Sequence, residues 1–158
     1  MSVELSESFE PRVLGFACLY CAYAAADVAG VTGHHYPESV RLVKVPCTGL
    51  ISEMDLLKAF ESGADGVLVM GCLEGQCHHK EGNLRAKRTA AKVQSILEQI
   101  GVGSGRLECH WVSASMGAQF ADIVTAAVDR FRAMGPSPVG SGGRRLSRQP
   151  APNETERR

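Results

Sequence analysis

The 158-residue chain has no long hydrophobic run, no net charge and no nucleotide-binding glycine loop. Its longest charge-free stretch, Val13 to Ala26, is 14 residues, short of the roughly 20 apolar residues that span a bilayer. The opening residues also lack the basic leader of a secretory signal, because Glu4, Glu7 and Glu10 outnumber Arg12. The chain therefore reads as a cytoplasmic protein without a membrane span. Lys+Arg and Asp+Glu are both 17, so no overall field favours nucleic acid as a partner. GxGxxG and Walker patterns are missing, and no acid–base pair stands out, so no substrate chemistry is assigned to this chain. A cysteine phosphatase is excluded as well. It needs an arginine about six positions after its nucleophile to grip phosphate, and those positions hold Ala24, Asp27, Glu53, His78 and Asn83.

What is present fits one globular domain. Apolar residues make up 44% and charged residues 22%, close to globular averages and unlike a disordered or coiled-coil chain. Six cysteines fall below the density of a disulfide scaffold, and in a reducing compartment such a set points to metal binding or redox chemistry. Short apolar runs at Val13 to Ala17, Val40 to Val45, Gly66 to Met70 and Leu107 to Val112 read as strands. Helical patterns separate them: Tyr23 to Val31, a Ser52-capped segment ending near Gly63, Leu84 to Ile100 with Ala86, Ala90, Val93, Ile96, Leu97 and Ile100 on one stripe, and a stripe from Phe120 to Phe131 closed by Gly135 and Pro136. The alternation predicts a doubly wound parallel sheet in a single α/β domain over residues 11–134. Residues 1–10 read as a flexible leader. Residues 135–158 carry four of the seven prolines and five arginines against two glutamates, and read as a disordered basic tail.

Five cysteines fall where strands end. Cys18 and Cys21 (CLYC) follow the first strand, Cys47 the second and Cys72 the third, with Cys77 five residues later. A parallel sheet brings all these ends to one edge, the edge where such folds bind ligands. Cys109 lies inside the fourth strand and reads as a small buried thiol. Converging thiolates suit an iron–sulfur cluster or zinc. A Cys18/Cys21 thiol–disulfide oxidoreductase is the rival reading. Zinc usually stabilises modules without a core, which tilts the choice toward an electron carrier.

The strings CLYC, ADVAG, VPCTG, ADGVLVMGC, GQCHHKEGN and WVSAS resemble, in order and spacing, the methyl-viologen-reducing hydrogenase delta subunit family, over roughly Pro11 to Met134. The resemblance implies a flavodoxin-like iron–sulfur subunit with one 2Fe–2S cluster. Its implied role is electron relay between a hydrogenase or other dehydrogenase and the heterodisulfide reductase A-like flavoprotein. The family's cysteines correspond to Cys18, Cys21, Cys47, Cys72 and Cys77, four of which would ligate. On spacing alone Cys47, which has no near neighbour in sequence, is the spare. The family's last motif reads Gly-Asp-Cys-His-Tyr, where this chain has Gly75, Gln76, Cys77, His78 and His79. The thiol is kept while the polarity beside it changes. His78 and His79 read as loop or outer-sphere groups. Lys80, Arg85, Lys87 and Arg88 form a basic cluster that suits a solvated helix face, a counter-charge to a thiolate cluster, or a dock for an acidic partner.

Overall fold

The computed structural model describes residues 9–139. Four parallel strands, β1 (Val13–Cys18), β2 (Val40–Val45), β3 (Gly66–Gly71) and β4 (Leu107–Trp111), alternate with α1 (Ala22–Val31), α2 (Glu53–Glu61), α3 (Gly82–Gln99) and α4 (Gly117–Met134). The strand order is β2-β1-β3-β4. This is the doubly wound α/β architecture the alternation predicts, consistent with a flavodoxin-like fold. Among the described residues no helix is long and apolar enough to cross a membrane.

Side chains alternate across the central strands, as a pleated strand requires. Leu68 and Met70 of β3 pack under α1 and α4 with Phe120, Val124 and Phe131. Val67 and Val69 pack under α2 and α3 with Leu56, Phe60, Val93 and Leu97. Both faces of β3 are thus covered, which is why its sequence is apolar without alternation. The α2 N-terminus carries a reciprocal cap: Asp55 N donates to Ser52 Oγ and Ser52 N to the Asp55 carboxylate.

Two expectations need adjustment. Ile96 and Ile100, placed on the buried stripe of α3, are exposed, and the stripe is instead Asn83, Ala86, Ala90, Val93 and Leu97. Ile100 is the C-cap, its N–H still bonded to the Ile96 carbonyl. The chain also stays packed past Met134. Arg106 is buried at the foot of β4 and gives its guanidinium to the carbonyls of Met134, Gly135, Pro136 and Asp65, and its Nε to Val102. Asp65, fully buried, accepts from the backbone N–H groups of Arg12 and Ser137. Ser137 is buried with it. The rest of the expected basic tail and the first eight residues of the leader lie outside the described residues.

Candidate metal centre

The chain leaves β1 for β2 on one side, then returns past β1 to lay β3 on the other. That reversal opens a crevice at the carboxyl ends of β1 and β3, the position where doubly wound folds place ligands. Ala17 pairs with Met70 across these strands. Cys18 therefore ends β1 within a residue of the register at which Cys72 follows β3. Their sulfurs are 3.8 Å apart. Cys21, at the N-cap of α1, completes a buried trio whose sulfurs all lie within 4.8 Å of one another.

Cys47 and Cys77 stand beside this trio, around the start of α3. Cys47 N-caps a 3-10 turn over Thr48–Leu50, and its sulfur accepts from Gly49 N at 3.4 Å. Both the Cys47 and Cys77 sulfurs border the space where a Cβ on Gly82 would stand, and such a Cβ would overlap Cys47 Sγ. Gly82 is thus a packing requirement of the site. Asn83, the next residue, is buried and donates from Nδ2 to the carbonyls of Cys72 and Leu73. It fixes the loop between the two cysteines to α3. Both residues sit in the string GQCHHKEGN, but their roles depend on contacts that spacing does not show.

The five thiols are electrostatically unequal. A hydrogen bond from Cys21 brings the Cys18 thiol down to about 5, against the effect of burial. Cys21 is pushed far up, first by holding the shared proton and then by burial. Burial raises Cys72 and Cys47. Burial also opposes ionisation of Cys77, but the backbone N–H groups of Asn83, His79 and Gly82 outweigh it and its thiol is lowered. Cys109 stands apart in β4, where burial pushes it up to about 11.

Outside the thiols, Tyr20 of CLYC stacks on His78 with ring centroids 3.8 Å apart and planes 15° from parallel, and His79 meets His78 edge-on. The two cysteine loops are therefore clasped together on the solvent side. Lys87 of the basic cluster pairs with Glu74. Near it, β4 carries a network in which Arg130 and His110 share the Glu108 carboxylate, with no counterpart in the sequence reading.

The donor set is soft sulfur throughout. Two thiolates on one tetrahedral ion at a metal–sulfur distance of about 2.3 Å stand about 3.8 Å apart, which is the Cys18–Cys72 separation. An α/β domain with such a group of thiols at its switch crevice belongs to the class that can hold a soft metal centre. Comparison with known proteins is more specific. Residues 13–135 match the family model of the methyl-viologen-reducing hydrogenase delta subunit, and the chain belongs to that family. It is 39% identical over 132 residues to the vhc iron-sulfur subunit of the F420-non-reducing hydrogenase of Methanococcus voltae, covering 84% of this chain and 92% of that protein. The F420-non-reducing hydrogenase iron-sulfur subunit of Archaeoglobus profundus is also 39% identical, over 84% of this chain and 96% of its own length. A ferredoxin:CoB-CoM heterodisulfide reductase A protein from Methanosarcina mazei is 37% identical over 83% of this chain, but the match takes up only 16% of that longer protein.

Proposed function

We propose that this chain is an iron–sulfur electron-transfer subunit that relays electrons between a hydrogenase or other dehydrogenase-type donor and a heterodisulfide reductase A-like flavoprotein. The observation that carries the reading is the buried trio Cys18, Cys21 and Cys72 within 4.8 Å at the switch crevice. Relatives named as iron–sulfur subunits of hydrogenases, and a relative that is itself a heterodisulfide reductase A protein, support the two partners.

The proposed group is one 2Fe–2S cluster, which supplies one-electron uptake and release when bound. Its four ligands are Cys18, Cys21, Cys72 and Cys77. Cys77 completes the set because three backbone N–H groups already favour its thiolate, the form that binds metal. Cys47 is the spare: it stands outside the trio, and its sulfur is pinned between Gly49 and Gly82. Hydrogen bonds to the Cys77 sulfur lower the energy of added negative charge, and so raise the potential at which the centre accepts an electron. The dithiol alternative has the lowered Cys18 thiol in its favour. It requires access, however, and Cys18 and Cys21 are 2% and 3% exposed, whereas reactive dithiols sit in partly open surroundings.

Iron and sulfide counting tests the reading. Anaerobically purified protein is expected to be brown, with about two irons and two acid-labile sulfides per chain. Serine at position 18, 21, 72 or 77 is expected to remove them, and Cys47→Ser to retain them. A colourless chain that reduces protein disulfides through Cys18 and Cys21 would overturn it.

A further inference from the structure

A groove beside the thiols has a different character from the site itself. The 3-10 turn Thr48–Leu50 and the first turns of α3 enclose a hollow of about 350 Å³, lined by Pro46, Cys47, Leu50, His79, Arg85 and Arg88, with Glu81 as the acid on its rim. The hollow continues along α3 past Glu53 and Lys92. Its basic groups differ in how they are used. Lys92 is paired with Glu53 at 3.3 Å and Lys87 with Glu74 at 3.4 Å. Among the described residues, Arg85 and Arg88 have no carboxylate within ion-pair distance. Arg88 makes only a long bond from Nε to the Leu84 carbonyl. Leu50, which lines both parts of the hollow, is 68% exposed.

We infer that this groove docks an acidic, apolar-anchored segment of the heterodisulfide reductase A-like flavoprotein that exchanges electrons with the cluster. The inference rests on the electron-relay reading and adds the surface and the partner's chemistry. Arginine is a residue type that interfaces concentrate, and two guanidinium forks outside any ion pair, of which Arg85 acts on Glu53 only at longer range, match carboxylates in a bidentate manner. Position supplies the second argument. The Cys47 sulfur forms one wall of the hollow and borders the same Gly82 space as Cys77. A segment seated on Leu50 is therefore separated from the thiol site by single side chains. The partner is a macromolecule and not a free anion, because the exposed Leu50 gives the hollow apolar area that a small anion leaves uncovered.

Calorimetric titration of the full chain with a purified heterodisulfide reductase A-type flavoprotein tests the docking without relying on electron transfer. Raising salt from about 0.01 to about 0.15 M shortens the screening length from roughly 30 to roughly 8 Å. Wild-type affinity is expected to fall steeply over that range. Arg85→Glu with Arg88→Glu is expected to weaken binding at low salt by about tenfold or more and to flatten the salt dependence. Arg85→Lys with Arg88→Lys should retain the salt dependence, and Arg41→Glu, near the amino-terminal end of β2 and outside the lining of the hollow, should leave affinity unchanged. Wild-type affinity in the double glutamate variant overturns the inference, as does an equal loss from Arg41→Glu or no binding by the wild type. Iron and sulfide counts on the same samples keep the two ideas apart: an iron-free chain that still binds with this arginine dependence sinks the cluster and leaves the groove.

Discussion

Replacing Gly82 by alanine puts one methyl group where the structure has a sulfur. The new Cβ overlaps Cys47 Sγ and comes within 3.2 Å of Cys77 Sγ. Neither neighbour moves freely: Cys47 is 7% exposed, and Gly49, which donates to its sulfur, packs directly on the Gly82 backbone. Overpacking of this kind costs about 1–3 kcal/mol. The gain from replacing glycine in a helix offsets up to about 1 kcal/mol, less at the first helical position. A net loss of about 1–2 kcal/mol lowers the melting temperature by about 3–6 °C for a chain of this size. The decisive measurement is a double-mutant cycle on the metal-free chain, by urea denaturation. In a Cys47→Ala background the obstructing sulfur is gone, so Gly82→Ala should become nearly neutral, a coupling of about 1–2 kcal/mol. If the two substitutions add without coupling, the packing of Cys47 against Gly82 is not what the residue is for. The Cys47→Ala protein should also keep its iron, since Cys47 is the proposed spare thiol.

Asn83→Ala takes the side-chain donor from the Cys72 carbonyl, while the Leu73 carbonyl keeps its bond from Gln76 N, so the midpoint of urea unfolding should drop by the equivalent of about 1–3 kcal/mol. Arg106→Ala removes the donor shared by Asp65, Met134, Gly135 and Pro136 beside a buried carboxylate. Calorimetry should show a loss of about 3–5 kcal/mol, with Arg106→Lys a poor substitute because one ammonium cannot span four carbonyls. Cutting the chain after Met134 should cost a comparable part of that stability. Burial alone would raise the Glu108 carboxyl, but bonds from Arg130 and His110 bring it from 4.5 to about 2. Because the folded value is the depressed one, this contribution is full above about pH 4.5 and fades as pH falls toward about 2. Acid titration of stability should lose that component in Glu108→Gln.

The elements of the fold that are legible in the sequence are those whose signals are local. β1 and β3 declare themselves as unbroken apolar runs because both of their faces are covered, and Ser52 with Asp55 forms its cap within four residues. β4 is less plain, since it is an edge strand that carries Glu108 and His110 in exchange for partners on α4 and itself. The convergence of the cysteines was legible because a parallel sheet sends every strand's carboxyl end to one edge. Which cysteines touch was not legible. The trio depends on β1 lying next to β3, a matter of strand order that spacing does not encode. The Asp65–Arg106–Ser137 lock was invisible for the same reason, as its bonds join residues 41 and 72 positions apart.

That dispersal bears on how a metal centre would be coupled to folding. In a zinc finger the metal is most of the core, and the chain unfolds without it. Here the thiols hang from the ends of a sheet whose two faces are already sealed by separate apolar clusters. The polar fixings of the site, Asn83 to the Cys72 loop and Gly49 to Cys47, are likewise made by protein alone. The short Cys18–Cys72 separation is thus a product of strand register, held by bonds within the chain. Ligands fixed in this way rearrange little when the charge on a centre changes, which is the property an electron relay needs. The same turn and the same helix build the neighbouring groove.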